Sequence, residues 1–233
     1  MNEILTPAQL TGRDASHLVD VAGEHRLQPA AARAFALLQA DAREAGFDLA
    51  IASSFRSFER QLAIFNGKAR GLRPVHDDAG QPVDLAALGP AEKLRAILRF
   101  SALPGTSRHH WGTDLDVYDA AAVAPDYAVQ LSPQEVWAPG PFAPLHDWLD
   151  QRMAQGESRG FYRPYNEDRG GVAPERWHLS FAPAARYCES RVSPQVLLDC
   201  WRGELELLDA VEAELDALLV RYVAVPAGWC PQS

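Results

Sequence analysis

The chain has 233 residues, enough to bury roughly 70% of its unfolded surface and hold a core without disulfides or metal. Apolar residues make up 47% and charged residues 23%, with 16 glycines and 17 prolines, which excludes a disordered, collagenous or low-complexity chain. Thirty-one acidic residues against 22 basic ones leave a net charge of −9, which disfavours nonspecific binding to nucleic acid or to an anionic lipid surface.

The N-terminal stretch MNEILTPAQLTGRDASHLVD has no basic n-region and no apolar run of signal length, and no segment reaches about 18 uninterrupted apolar residues. A cytoplasmic chain without a membrane segment is therefore expected. The first helix is expected over about Pro29–Ala45, with Pro29 in its first turn, Phe35, Leu37 and Leu38 on its apolar face and Gly46 as its stop. Phe47–Ala52 alternates and predicts a strand that delivers Ser53-Ser-Phe-Arg-Ser57. Ser57 then caps a helix to about Ala69, with Leu62, Ile64 and Phe65 inward. Gly71–Leu88 reads as a surface loop, Pro90–Phe100 as a short helix ended by Pro104 and Gly105, and Thr113–Tyr118 as a strand. A helix near Phe142–Gln155 and a short strand Trp177–Phe181 follow.

The C-terminal third reads as helical. Ser193-Pro194 starts one helix, and Glu204–Arg221 carries an apolar stripe of Leu205, Leu208, Val211, Leu215 and Leu218, a core or docking face. This order predicts an α+β fold: a small antiparallel sheet flanked by helices, with an added C-terminal helical segment. The expected division is residues 1–190 as the main domain and 191–233 as a helical extension packed on it. Cys188, Cys200 and Cys230 make neither a disulfide scaffold nor a cysteine zinc cluster. Free thiols are the expectation, with a Cys200–Cys230 or Cys188–Cys200 bridge left open.

Three segments carry candidate chemistry: Ser107-Arg-His109-His110-Trp-Gly112-Thr-Asp114-Leu-Asp116, Glu175-Arg-Trp177-His178, and Ser54-Phe-Arg56-Ser57 with Gln61 behind it. A catalytic zinc takes three protein ligands, usually His and carboxylate, and leaves a fourth position for water. His109, Asp116 and His178 offer N, O and N, and Glu175 offers a base for the proton of that water. Alternation puts Asp114 and Asp116 on one strand face, and Gly112 lets the chain turn ahead of it. Generic spacing alone leaves other readings open: Glu175 paired with Arg176, Arg56 in a surface salt bridge to Glu59, and His110 in place of His109.

The combined pattern Ser107-x-His109-x-x-Gly112-x-x-x-Asp116 with Glu175-x-Trp177-His178 resembles the VanY-type D-alanyl-D-alanine carboxypeptidases, among the LAS zinc metallopeptidases. Phe55-Arg56-Ser57 and Gln61 resemble that family's upstream motif, and the likeness runs from about Phe47 to Phe181. The resemblance implies Zn²⁺ on His109, Asp116 and His178, with Glu175 as general base and acid. It implies that Arg56 stabilises the tetrahedral intermediate or holds a substrate carboxylate. Ser54, Gln61, Ser107 and Trp177 are candidate substrate contacts, and Tyr162, Arg163, Tyr165 and Asn166 form a candidate substrate loop. Ligand softness permits other divalent ions at a His2Asp site.

The implied substrate is a peptidoglycan stem peptide or muropeptide that loses a terminal D-alanine, by D,D- or L,D-cleavage. A zinc endopeptidase cutting wall cross-links and a non-catalytic zinc-containing peptide-binding domain are the alternatives. Asp114 departs from the family pattern, which has a small residue there. An added negative charge, a substrate ammonium site and a hydrogen bond to a neighbouring backbone amide are its possible roles, the last preferred.

Overall fold

A computed structural model of the chain describes residues 4–201 and 203–226. A one-turn helix α1 (Pro7–Leu10), capped by Thr6, leads into a small ribbon of β1 (Val19–Asp20) and β2 (Arg26–Leu27). Helix α2 (Pro29–Glu44) opens on Pro29 and stops at Gly46, whose φ of +91° suits glycine. It buries Ala31, Phe35, Leu38 and Ala42, at helical spacing. Leu37 faces solvent, contrary to the sequence expectation, because two residues from Phe35 is more than half a turn around the helix.

Strand β3 (Leu49–Ser53) and helix α3 (Phe58–Ala69) follow, the latter capped by the Ser57 hydroxyl, which accepts from the Arg60 N–H. The buried face of α3 carries Gln61 and Asn66 beside Phe58 and Phe65, while Leu62 and Ile64 are half-buried. After the predicted loop come α4 (Pro90–Leu98), a 3-10 turn Arg108–Trp111, β4 (Asp114–Asp119), the short α5 (Pro133–Val136) and α6 (Ala143–Ala154). The remainder is β5 (Phe161–Tyr162), β6 (His178–Phe181), α7 (Ala182–Arg191), α8 (Pro194–Trp201) and α9 (Leu208–Tyr222). The fold is α+β, as expected. Glu204–Leu207 is not helical: Leu207 has φ +56°, so α9 begins later than the apolar stripe, and it kinks at Glu214.

The main sheet has the order β3-β4-β6-β5, antiparallel throughout. Period-two alternation sorts its central strands. Leu115, Val117, Leu179 and Phe181 join Phe35, Leu38, Leu145 and Leu149 in one core beneath α2 and α6. A second core gathers α3, α4, α8 and α9 around Phe58, Phe65, Ile97, Trp201 and Leu215. The apolar stripe of α9 is thus core, and the Trp201 indole donates to Pro104 O at 2.8 Å, close to the 3-10 turn. Cys188 and Cys200 are buried free thiols, and Cys230 lies outside the described residues. No described helix is long and apolar enough to cross a membrane.

His146 of α6 is fully buried, with its Nδ1 3.4 Å from the Arg163 guanidinium. Burial, reinforced by Arg163 and Arg176, pushes it down from 6.5 to about 2. The unfolded chain therefore binds this proton first. The resulting stabilisation is complete above pH 6.5 and is lost as pH falls below it, by about 2 kcal/mol at pH 5. Urea unfolding at pH 7.5 and 5.0 checks this: His146→Gln removes about 2 kcal/mol of the difference between the two pH values. An unchanged difference contradicts it.

Candidate metal centre

On the sheet face opposite the α2/α6 core, β4 presents Asp114 and Asp116 and β6 presents His178 and Ser180. Antiparallel register pairs Asp116 with His178 and Asp114 with Ser180. Irregular pairing between Ile51 and Ser53 breaks the β3 ladder just before Phe55-Arg56-Ser57 and redirects the chain toward this face. The 3-10 turn holding His109 ends at Gly112, whose φ of +68° is left-handed; a Cβ there would collide with the Leu18 side chain.

The Arg56 N–H donates to His109 O at 3.2 Å, and His110 Nδ1 lies 2.6 Å from Arg56 O. The Gly105 N–H donates to His110 Nε2 at 3.1 Å, so His110 carries its hydrogen on Nδ1 and donates it to Arg56 O. Both of its ring nitrogens are used in tying the two loops together. Burial pushes His110 down to about 3. It has no nitrogen left for a ligand, whereas His109 Nε2 faces Asp116.

His109, Asp116 and His178 are buried and converge, one ligand atom of each lying within 4.8 Å of the others. His109 Nε2 is 3.3 Å from Asp116 Oδ2, and His178 Nδ1 is 3.3 Å from Asp116 Oδ1. Two donors each 2.0–2.1 Å from a tetrahedral ion lie about 3.3 Å apart, so this spacing fits such an ion. Asp116 Oδ1 and His178 Nδ1 are buried without a hydrogen-bond partner, as donor atoms reserved for a cation are. The His2Asp set suits Zn²⁺ and tolerates other divalent ions. Burial opposes a charge on His178, but the hydrogen bond to Asp114 and the nearby carboxylates of Asp116 and Glu175 outweigh it and hold its pKa well above the ordinary value. The pocket is thus built to favour a cation, be it a proton or a metal.

Glu175 Oε2 lies 3.4 Å from His178 Nδ1. It is half-buried, and its backbone N–H donates to Tyr165 O. Arg176 turns the other way, pairing with Asp147 and Asp150, so it does not neutralise Glu175. Arg56 donates to Gln61 Oε1 at 2.9 Å and makes no ion pair among the described residues; Glu59 pairs with Arg13 instead. Burial, only partly offset by the fields of Asp116, Glu175 and Tyr165, lowers the Arg56 pKa. A half-buried guanidinium without a carboxylate partner is a ready site for an anion.

Arg56, His109, Asp116, Glu175 and His178 all line one cavity of about 570 Å³, whose walls include Ser107 and Trp177. Two expected substrate contacts lie off its wall. The Ser54 hydroxyl is buried between His25 Nδ1 and the Arg26 N–H, and fully buried Gln61 spans from Arg56 to Ala102 O. Gln61 therefore supports Arg56 from behind. Of the candidate loop, Tyr165 lines the cavity, its ring 5.0 Å from that of His178, while Tyr162 and Arg163 are turned to other partners. Trp111 is buried in the core. Asp114 does not bond to a backbone amide, the preferred expectation; its partners are the side chains of Arg108, His178 and Thr113. Arg108 escaped the sequence reading because an arginine beside two histidines reads as a surface charge, yet it is 1% exposed.

The family model of VanY, D-alanyl-D-alanine carboxypeptidase, matches residues 24–184. An uncharacterized protein of Haemophilus influenzae is 50% identical over 103 residues, covering 42% of this chain and 70% of that protein. Among solved structures, VanYB in complex with D-alanine-D-alanine is similar at 18% identity, with 87% of this chain and 91% of that one covered and a TM-score of 0.49. The LdcB LD-carboxypeptidase is similar at 20% identity, with 87% and 80% covered and a TM-score of 0.49.

If the three donors bind zinc only in the folded chain, zinc at about 100 times its Kd adds about 2.7 kcal/mol of stability. For a chain of this size that raises Tm by about 5–10 °C, and a chelator reverses the rise. His178→Ala abolishes the response. Calorimetric melts with and without zinc check this, and an equal response in the variant contradicts it.

Proposed function

This chain belongs to the VanY D-alanyl-D-alanine carboxypeptidase family, and on that premise we propose that it is a zinc-dependent carboxypeptidase. Its substrate would be a peptidoglycan stem peptide or muropeptide, from which it removes the terminal D-alanine. The observation that carries this reading is the convergence in one cavity of the His109-Asp116-His178 donor set, a Glu175 carboxylate beside His178 that has no arginine partner, and an Arg56 guanidinium without an ion-pair partner.

Bound at His109, Asp116 and His178, zinc would supply Lewis acidity and lower the pKa of water toward about 7. Glu175 takes the proton of the attacking water at its Oε2 and delivers it to the departing amine of D-alanine. Arg56 faces the acidic groups across the cavity and offers N–H donors to the substrate's terminal carboxylate or to the oxyanion that develops on attack. Gln61 holds its orientation. Tyr165 packs against His178 and Trp177 forms part of the wall, which shields the reacting amide from bulk water. Ser107 lies in the same wall as a hydrogen-bonding contact. The need for an anionic C-terminus at Arg56 favours removal of a terminal residue over cleavage inside a cross-link.

Purified zinc-loaded protein incubated with muropeptide tetrapeptide and pentapeptide, with products read by mass, tests the reaction. Loss of one alanine is expected, and Glu175→Gln lowers kcat by about 10²–10⁴-fold while zinc binding persists. Alanine lost from the tetrapeptide identifies L,D-cleavage, and alanine lost from the pentapeptide alone identifies D,D-cleavage. No alanine loss from either, with enzyme and variant alike, contradicts the reading.

The role of Arg56 has its own signature. A charge-assisted hydrogen bond contributes about 1.5–3 kcal/mol, so the enzyme favours a free C-terminal carboxylate over its amide by about 10- to 100-fold in kcat/KM. Arg56→Met removes that preference. A variant that still discriminates between the two peptides contradicts the assignment.

A further inference from the structure

Asp114 is fully buried on the same face of β4 as Asp116. Its Oδ1 accepts from Arg108 Nε at 3.0 Å and lies 2.9 Å from His178 Nε2; its Oδ2 accepts from Thr113 Oγ1 at 2.5 Å. Beside a buried guanidinium the carboxylate is ionised and has no hydrogen to offer. The hydrogen shared with His178 therefore sits on Nε2. The other ring nitrogen, Nδ1, is the one 3.3 Å from Asp116 Oδ1. Two carboxylates two residues apart on one strand thus address opposite nitrogens of one imidazole.

Arg108 is itself clamped. Its Nη1 donates to Glu189 Oε2 at 2.7 Å, and its Nη2 donates to the Tyr162 hydroxyl at 2.7 Å and to Ser180 Oγ at 2.9 Å. The guanidinium carbon lies 4.7 Å from the centre of the buried Trp111 ring. Glu189 Oε1 in turn accepts from the Val225 N–H at 3.0 Å, so the clamp reaches from the sheet to the chain beyond α9.

We propose that Asp114, held by the Arg108–Glu189 clamp, is a positioning residue that commits His178 to the Nε2–H tautomer and thereby turns the Nδ1 lone pair toward the metal. The inference rests on the reading of His178 as a metal ligand. A carboxylate accepting the distal N–H of a ligand histidine fixes its ring orientation and raises its basicity, and loss of such a partner typically weakens metal binding 10- to 100-fold.

Long-range 15N–1H correlation spectra of the zinc-loaded full chain show which nitrogen of His178 bears hydrogen, and competition with a chromophoric chelator measures zinc affinity. Hydrogen on Nε2 and zinc on Nδ1 are expected. Asp114→Ala is expected to weaken zinc binding 10- to 100-fold. Because that change strands the buried Arg108 charge, the double variant Arg108→Met, Asp114→Ala, which removes both buried charges and leaves only the partly exposed Glu189 without its arginine, is measured beside it. It is expected to show the same loss with unchanged far-ultraviolet circular dichroism. Zinc on Nε2 in the unaltered chain, or double-variant affinity equal to that of the unaltered chain, overturns the proposal, and the spectrum of the unaltered chain decides even if neither variant folds. If the unaltered chain binds no zinc while remaining folded, the reading of the site as a metal centre fails first, and this inference falls with it.

Discussion

The pairing of Asp116 with His178 across β4 and β6 is the constraint on which the rest of the site depends. It is enforced from the opposite face of the sheet. Leu115, Val117 and Leu179 are buried against Phe35, Leu38, Leu145 and Leu149, and each such side chain contributes about 1.5–3 kcal/mol when removed from water. A register slip of one residue would turn these apolar side chains toward the cavity and bury Asp116 and His178 under α2 and α6. The apolar core therefore holds in place two donors whose facing atoms a cation, proton or metal, can join.

Electrostatics completes what register begins. Asp114, Asp116 and Glu175 crowd one imidazole, and two arginines answer them differently. Arg108 is saturated by Asp114, Glu189, Tyr162 and Ser180, so its charge is spent on structure. Arg56 has Gln61 as its side-chain partner and keeps donors for something that enters the cavity. The same residue type is a strut in one place and a free hand in the other, and the difference lies in how many acceptors the fold brings to each. A proton and a metal compete for the charge-hungry space around His178 Nδ1, and acid favours the proton.

Much of this was legible in the chain itself. Proline and glycine punctuation placed α2, α4 and α8 within a few residues, and alternation placed β4 and β6. The motif resemblance pointed to the residues that the fold brings together at the centre. Partners were not legible. That Ser54 turns to His25, and that Gln61 lies behind Arg56, depends on a loop crossing fixed by His110, whose two nitrogens bridge segments about fifty residues apart in sequence. Arg108 and Asp114 sit six residues apart, but their meeting with Glu189 and Tyr162 is a product of tertiary packing. The two-residue strand β5 is too short to leave a periodic signal, and the late start of α9 reflects a left-handed Leu207 that apolar spacing does not reveal.

The central claim is that His109, Asp116 and His178 form one zinc site, and X-ray diffraction from crystals of the zinc-loaded protein at wavelengths on either side of the zinc edge tests it most directly. The account predicts a single strong anomalous peak about 2.0–2.2 Å from one nitrogen of each histidine and one oxygen of Asp116. It also predicts that His178 contributes Nδ1 to that peak. Zinc bound elsewhere on the chain, with these three side chains left without a metal, would contradict it.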